Sequence, residues 1–216
     1  MDMKTRTIKN ATVMNIDCTE YMKQLPDKYF DLAIVDPPYG IGDKLLNGGK
    51  TGTVKFHEQY ELKKWDDYKP ESKYWVELFR VSANKIVWGG NYFSDFLPPS
   101  RGIISWDKNL GEPNNFSHFE LAWTSFDCIA RKVVVGSNTG NRIHPTQKPI
   151  KLYEWVLDRY AKPGQKIFDS HMGSGSSAIA CNNLGFEFVG CELDPDYFEA
   201  ACKRIEHHAR QERLFA

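Results

Sequence analysis

Apolar residues in this chain are grouped in two ways. Short runs of β-branched and aliphatic residues bounded by turn formers, such as Phe30-Asp31-Leu32-Ala33-Ile34-Val35, predict buried strands. Residues 12–16, Lys85 to Trp88, Ile103 to Trp106, Phe119 to Trp123, Lys166 to Phe168 and Gly185 to Cys191 read the same way. Other stretches repeat every three to four residues. Glu71 to Val81 (Tyr74, Trp75, Leu78, Phe79) and residues 150–161 (Leu152, Trp155, Val156, Tyr160) carry one apolar face each, and Ser177 to Leu184 also reads as helix. Thr19 predicts the cap of a short helix running to about Gln24, and Asp194-Pro195 places an N-cap before a first-turn proline, opening a helix to about His208. Strands alternating with helices predict one α/β domain with a mainly parallel central sheet and helices on its faces.

Two stretches lack a period. Residues 41–69 are rich in glycine, lysine and polar side chains, the composition of a mobile lid or binding loop. Residues 126–143 are short, polar and basic, and they run into His144.

Composition narrows the function classes. A chain of 216 residues is one domain by length. Lys+Arg and Asp+Glu number 28 each, so attraction to phosphates needs a local patch. Met1 to Thr5 lacks the apolar core of a signal peptide, and no run reaches membrane-spanning length. Five cysteines without a Cys-x-x-Cys pair point to a reducing cytoplasm, with no disulfide frame and no metal site.

Chemistry gathers where strands end. The strand 30–35 runs straight into Asp36-Pro37-Pro38-Tyr39, a carboxylate, two residues without backbone donors, and a flat ring. Acceptors beside an aromatic ring suit a planar group carrying an amino donor, and a nucleobase is the evident candidate. A second cluster is Asp169-Ser170-His171-Met172-Gly173-Ser174-Gly175-Ser176, between a strand and a helix, where glycines let backbone approach a ligand. Glu192, at the next strand end, is placed to accept ribose hydroxyls. Gly173-x-Gly175-x-x-Ala178 also satisfies a dinucleotide fingerprint, so at this point NAD and another adenosine-bearing cofactor are both open. Asp17, Asp36, Asp169 and Glu192 all follow strands, and are expected on one rim of the sheet.

Taken together these motifs resemble the amino-group DNA methyltransferases, which act on adenine N6 or cytosine N4. Asp36-Pro37-Pro38-Tyr39 matches their catalytic signature, Phe168 to Ser176 their cofactor loop, Val189 to Glu192 their ribose-binding strand end, and His144-Pro145-Thr146-Gln147-Lys148-Pro149 a segment preceding the cofactor half. This order is that of the permuted β class, with a catalytic half at 12–125, a short basic recognition segment at 126–143 and a cofactor half at 144–208 within a single 1–216 domain. The resemblance implies a Rossmann-like fold, S-adenosylmethionine as cofactor and double-stranded DNA with a flipped base as partner. Homodimers and a cognate nuclease are further partners known in the class. Asp36 and the Pro37 carbonyl would take the amine protons, and Tyr39 would stack on the base. Asp17 and Cys18 would meet the cofactor adenine, Glu192 its ribose, and Asp169, His171 and Gly173 to Ser176 its methionine part, with Lys148 approaching the carboxylate. Asp-Pro-Pro-Tyr, as opposed to Ser-Pro-Pro-Tyr, favours adenine over cytosine; a catalytically impaired DNA-binding relative is the reading from another class. No cysteine follows a proline, which excludes the Pro-Cys route of carbon-5 methylation.

The chain departs from the family pattern twice. Ser170 replaces a proline, which predicts a looser turn, and His171 replaces a phenylalanine. An imidazole against a sulfonium predicts cofactor binding that weakens as pH falls from 8 to 6. The second departure is size: residues 124–143 offer no large recognition insert. Contacts to DNA are expected from Arg131, Lys132 and Arg142, with Lys44, Lys50, Lys55, Lys63 and Lys64 of the 41–69 loop and with Arg101 and Lys108, and recognition is expected to be short and salt-sensitive.

Overall fold

The computed structural model describes residues 4–41, 66–111, 117–137, 140 and 142–212. Most of the 41–69 loop, including Lys44 and Lys50, lies outside the described residues. Nine strands form one sheet: β1 Lys4–Ile8, β2 Ala11–Asn15, β3 Phe30–Val35, β4 Ser82–Trp88, β5 Ile103–Asp107, β6 Phe119–Thr124, β7 Arg131–Val134, β8 Lys166–Asp169 and β9 Glu187–Glu192. Their order is β1-β2-β9-β8-β3-β4-β6-β5-β7. Among these strands only β1 and β6 run against the rest, so the sheet is mainly parallel as expected. Among the described residues, five α-helices and a short 3-10 turn at Gly90–Tyr92 accompany the sheet: α1 Cys18–Met22, α2 Ser72–Val81, α3 Ile150–Tyr160, α4 Ser176–Leu184 and α5 Pro195–Glu212.

Alternation along β3 explains why its run is continuously apolar. Leu32 and Ile34 join the core shared with α3, α4 and α5, while Ala33 and Val35 join the core beneath α1 and α2. Helices follow the same logic. Tyr74, Trp75, Leu78 and Val81 are the buried face of α2, each full burial worth about 1.5–3 kcal/mol of transfer free energy. On α3 the buried face is Leu152, Tyr153, Val156 and Leu157, so Trp155 and Tyr160, placed on that face from sequence, sit at its margin.

One expectation is corrected: the cap of α1 is Asp17 and not Thr19, its carboxylate accepting the Thr19 and Glu20 amides. Two strands were not read from the sequence. The described residues begin with one of them, β1. The basic 126–143 stretch contains β7, parallel to β5 at the sheet edge, and Arg131 and Lys132 begin that strand at the end remote from the carboxyl rim. Among the described residues no helix is long and apolar enough to cross a membrane.

Candidate active site

The neighbouring strands β2, β9, β8 and β3 deliver Asp17, Glu192, Asp169 and Asp36 to one rim, because all four run the same way and each ends at or just before its acid. Asn15 ties two of these ends together, its Nδ2 donating to the carbonyls of Glu192 and Leu193. A cavity of about 730 Å³ opens along this rim. Asp36, Pro38, Lys148 and Tyr153 line one part of it, and Asp17, Cys18, His171, Gly173, Ser174, Ser176 and Glu192 another. Pro37, Tyr39, Asp169 and Gly175 are chain neighbours of lining residues.

The turn after β3 is fixed from three sides. Tyr39 donates its hydroxyl to Asp36 Oδ1 at 2.6 Å, and its ring stacks on Tyr92 at 4.8 Å between centroids. Gly89, at φ +66°, makes room for that ring: a Cβ there would lie 2.3 Å from it. Asp66, only 4% exposed, accepts the backbone N–H groups of Tyr39 (2.6 Å), Gly40 (3.2 Å) and Ile41 (3.3 Å). Burial, reinforced by the Asp36 charge, holds the Tyr39 phenol well above its ordinary range, so it stays a donor. Lys148 places Nζ 2.6 Å from Asp36 Oδ2 and 3.0 Å from Glu120 Oε2. Its ammonium is thus engaged with Asp36, a partner not expected for it from the sequence.

The glycine-rich loop is braced from behind. Asp169 accepts the His171 amide at 3.1 Å and the Ser177 hydroxyl at 2.6 Å, and burial pushes its pKa up to about 7. Glu192 accepts the amides of Gly173 and Asp194, both at 2.9 Å, and burial again raises it to about 7. Arg204 of α5 donates to the Ser174 carbonyl and the Ser176 hydroxyl; burial lowers its guanidinium to about 10. Gly175, at φ +74°, turns the chain into α4 with Ile205 2.9 Å from where a Cβ would be. The His144 ring lies in ordinary contact with Gly173, which brings the 144–149 segment onto this loop.

Ser170 and His171 do not loosen the turn. The Ser170 hydroxyl, 2% exposed, is 2.7 Å from the Tyr74 hydroxyl and 2.8 Å from His171 Nδ1, so side-chain bonds to α2 replace the constraint a proline ring would give. His171 Nε2 is 3.9 Å from Cys18 Sγ, and its ring meets Tyr74 edge-on at 5.3 Å. Burial lowers its pKa to about 4, only partly opposed by Asp17. The imidazole is therefore neutral between pH 8 and 6, and the titration expected of it in that window is corrected.

The basic residues named from sequence are dispersed. Lys132 pairs with Asp107 at 2.7 Å, and Arg142 donates to the Ser137 carbonyl. Asp66, Tyr74, Tyr92, Glu120 and Arg204 were not singled out from sequence. Glu120 carried one legible signal: it is an acid inside the apolar run Phe119 to Trp123.

Comparison with known proteins agrees with this geometry. A family model for N6 and N4 amino methylation, described as DNA methylase, matches residues 87–203, more than half of the chain. Type II methyltransferase M2.DpnII of Streptococcus pneumoniae is 24% identical, covering 92% of this chain and 91% of its own. Type II methyltransferase M2.LlaDCHI of Lactococcus lactis subsp. cremoris is 20% identical, covering 93% and 91%. Among solved structures, an M1.HpyAVI–SAM complex superposes with a TM-score of 0.64 at 23% identity, covering 90% of this chain and 99% of that one. The cytosine-N4-specific PvuII DNA methyltransferase gives 0.64 at 12% identity, covering 95% and 93%. The chain, with its mainly parallel sheet and four rim acids, belongs to the DNA methylase family of N6 and N4 amino-methyltransferases.

Proposed function

We propose that the protein transfers the methyl group of S-adenosylmethionine to the N6 amino group of an adenine flipped out of double-stranded DNA. The observation that carries this reading is the single cavity whose wall holds Asp36 and Pro38 together with Asp17, His171, Gly173 and Glu192. Its volume is in the range of small-molecule sites. The donor set fits the cofactor. Each Glu192 oxygen has one amide bond and keeps a lone pair for a ribose hydroxyl, and Asp17 uses Oδ1 for capping α1, leaving Oδ2 for the adenosine end. Cys18 would lie along the adenine, and His171 with Gly173, Ser174 and Ser176 would enclose the methionine end. Asp169 and Gly175 act from behind, by holding the loop. When bound, S-adenosylmethionine supplies a methyl group on a positively charged sulfur.

The work of the chain lies on the other side. An aromatic amine has its lone pair delocalised into the ring and is a weak nucleophile. Asp36 and the Pro37 carbonyl accept its two N–H bonds, favouring a pyramidal nitrogen with a localised lone pair. Two of the four lone-pair sites of the Asp36 carboxylate are taken by Tyr39 and Lys148; the others are free for the amine. Holding nucleophile and methyl group in line, with no covalent enzyme intermediate, lets positioning and electrostatics carry the rate. The base reaches this depth by leaving the helical stack, while Tyr39, stacked on Tyr92 and bonded to Asp36, holds the turn from beside the cavity. The Asp36-Pro37-Pro38-Tyr39 form of the turn supports adenine over cytosine. The dispersal of Arg131, Lys132 and Arg142, two of them engaged within the fold, supports short and salt-sensitive recognition, to which Lys44 and Lys50 would add their charge. Asp36→Ala tests the reading: methyl incorporation into DNA should be lost while calorimetric binding of S-adenosylmethionine persists. Undiminished incorporation in the variant would refute it.

A further inference from the structure

The Asp36 carboxylate stands at one end of a partly buried row of charges whose most buried member is Lys148. Lys148 Nζ lies between Asp36 Oδ2 (2.6 Å) and Glu120 Oε2 (3.0 Å), and Lys108 Nζ lies 2.7 Å from Glu120 Oε1. Signs alternate along the row: Asp36 after β3, Lys148 before α3, Glu120 on β6, Lys108 after β5. The Lys148 side chain is 4% exposed. Burial alone would drive its ammonium toward the neutral amine, but the two flanking carboxylates outweigh this and raise its pKa. Glu120 is pushed up by burial as well, yet Lys148 and Lys108 prevail and hold it at about 2. Each charge in the row thus depends on the next.

A carboxylate free to rotate would present its lone pairs over a wide arc. Asp36 is pinned at both oxygens, by Tyr39 at Oδ1 and by Lys148 at Oδ2. Glu120 in turn draws Lys148 from the opposite side, and Lys108 anchors Glu120. The geometry points to Glu120 and Lys148 as positioning residues that aim the Asp36 carboxylate at the target amine. This inference rests on the methyltransferase reading above and adds to it a residue, Glu120, outside its motifs.

The test is single-turnover methyl transfer to duplex DNA at saturating S-adenosylmethionine and DNA, with calorimetric cofactor affinity and circular-dichroism melting measured on the same samples. Glu120→Gln keeps the shape of the side chain and removes its charge. The double variant Lys148→Met/Glu120→Met replaces the pair by apolar chains of similar length and leaves neither charge of the pair unmatched, so it carries the test if Glu120→Gln fails to fold. The transfer rate constant should fall about 10- to 100-fold, the scale of an ångström-level misplacement, with cofactor affinity unchanged. A folded variant as fast as wild type overturns the inference and leaves the methyltransferase reading standing. Cofactor affinity falling in step with the rate also overturns it, by making the row a support of the cavity as a whole. Wild-type protein that transfers no methyl group to DNA refutes the reading and the inference together.

Discussion

Asp66→Ala removes a carboxylate that accepts three successive amides of the chain leaving the Asp36–Tyr39 turn, of which the Tyr39 bond is shortest at 2.6 Å. Gly40 is exposed and Ile41 half-buried, so water can replace the acid at both. The Tyr39 amide cannot be resolvated as easily, because its ring is held between Tyr92 and Gly89. The loss therefore reduces to about one charge-assisted bond, about 1.5–3 kcal/mol of stability. Asp66→Asn retains an acceptor without the charge, and should cost roughly half as much. Urea unfolding followed by tryptophan fluorescence gives the first quantity, as a lowered midpoint at constant slope. Single-turnover methyl transfer gives the second: a slack turn lets Tyr39 and Asp36 drift, and the rate should fall about 10-fold or more while cofactor affinity holds. An Asp66→Ala protein with wild-type midpoint and rate would show that the three bonds carry neither stability nor alignment.

Other outcomes follow from the same network. Cofactor affinity should weaken as pH falls from 8 to 6, because Glu192, raised by burial to about 7, takes up a proton and loses acceptor capacity. His171, lowered by burial to about 4, stays neutral there, so His171→Phe should keep that response; calorimetry showing it abolished would contradict the assignment. Asp169 is raised by burial from 3.8 to about 7, so the folded state binds its proton more tightly than the unfolded chain. Its contribution to stability is therefore present at low pH and lost as pH rises from about 4 to about 7, and Asp169→Asn should flatten that part of the urea-midpoint profile. An unchanged profile would refute this. Tyr74→Phe unties Ser170 from α2 and should cost about 0.5–1.5 kcal/mol, with a few-fold loss of cofactor affinity. Equal melting temperature and equal affinity would count against the bond.

What the sequence revealed has a physical pattern. Strands buried on both faces, such as β3, carry continuous apolar runs and were legible. The edge strands β1 and β7 expose most of their side chains, so neither alternation nor an apolar run marks them. The four rim acids could be placed because a parallel sheet directs its carboxyl ends to one side. Polar partners across the fold could not. Tyr74 and Ser170 are 96 positions apart, and Glu120 reaches Asp36 only through Lys148. Local reading also misjudged Ser170 and His171. Taken as departures from a family motif they suggest a weakened loop, whereas in three dimensions Tyr74 supplies the partner that gives them a structural role.

The central claim is that Asp36 presents an exocyclic amine of adenine to a methyl donor held at the Glu192 end of the same cavity. Incubation with duplex DNA and S-adenosylmethionine labelled in its methyl group, followed by enzymatic digestion and nucleoside separation, tests it most directly. Label is expected in N6-methyladenine, and none after Asp36→Ala. Label in N4-methylcytosine would contradict the choice of base, and label at carbon 5 of cytosine, or none in DNA at all, would contradict the mechanism.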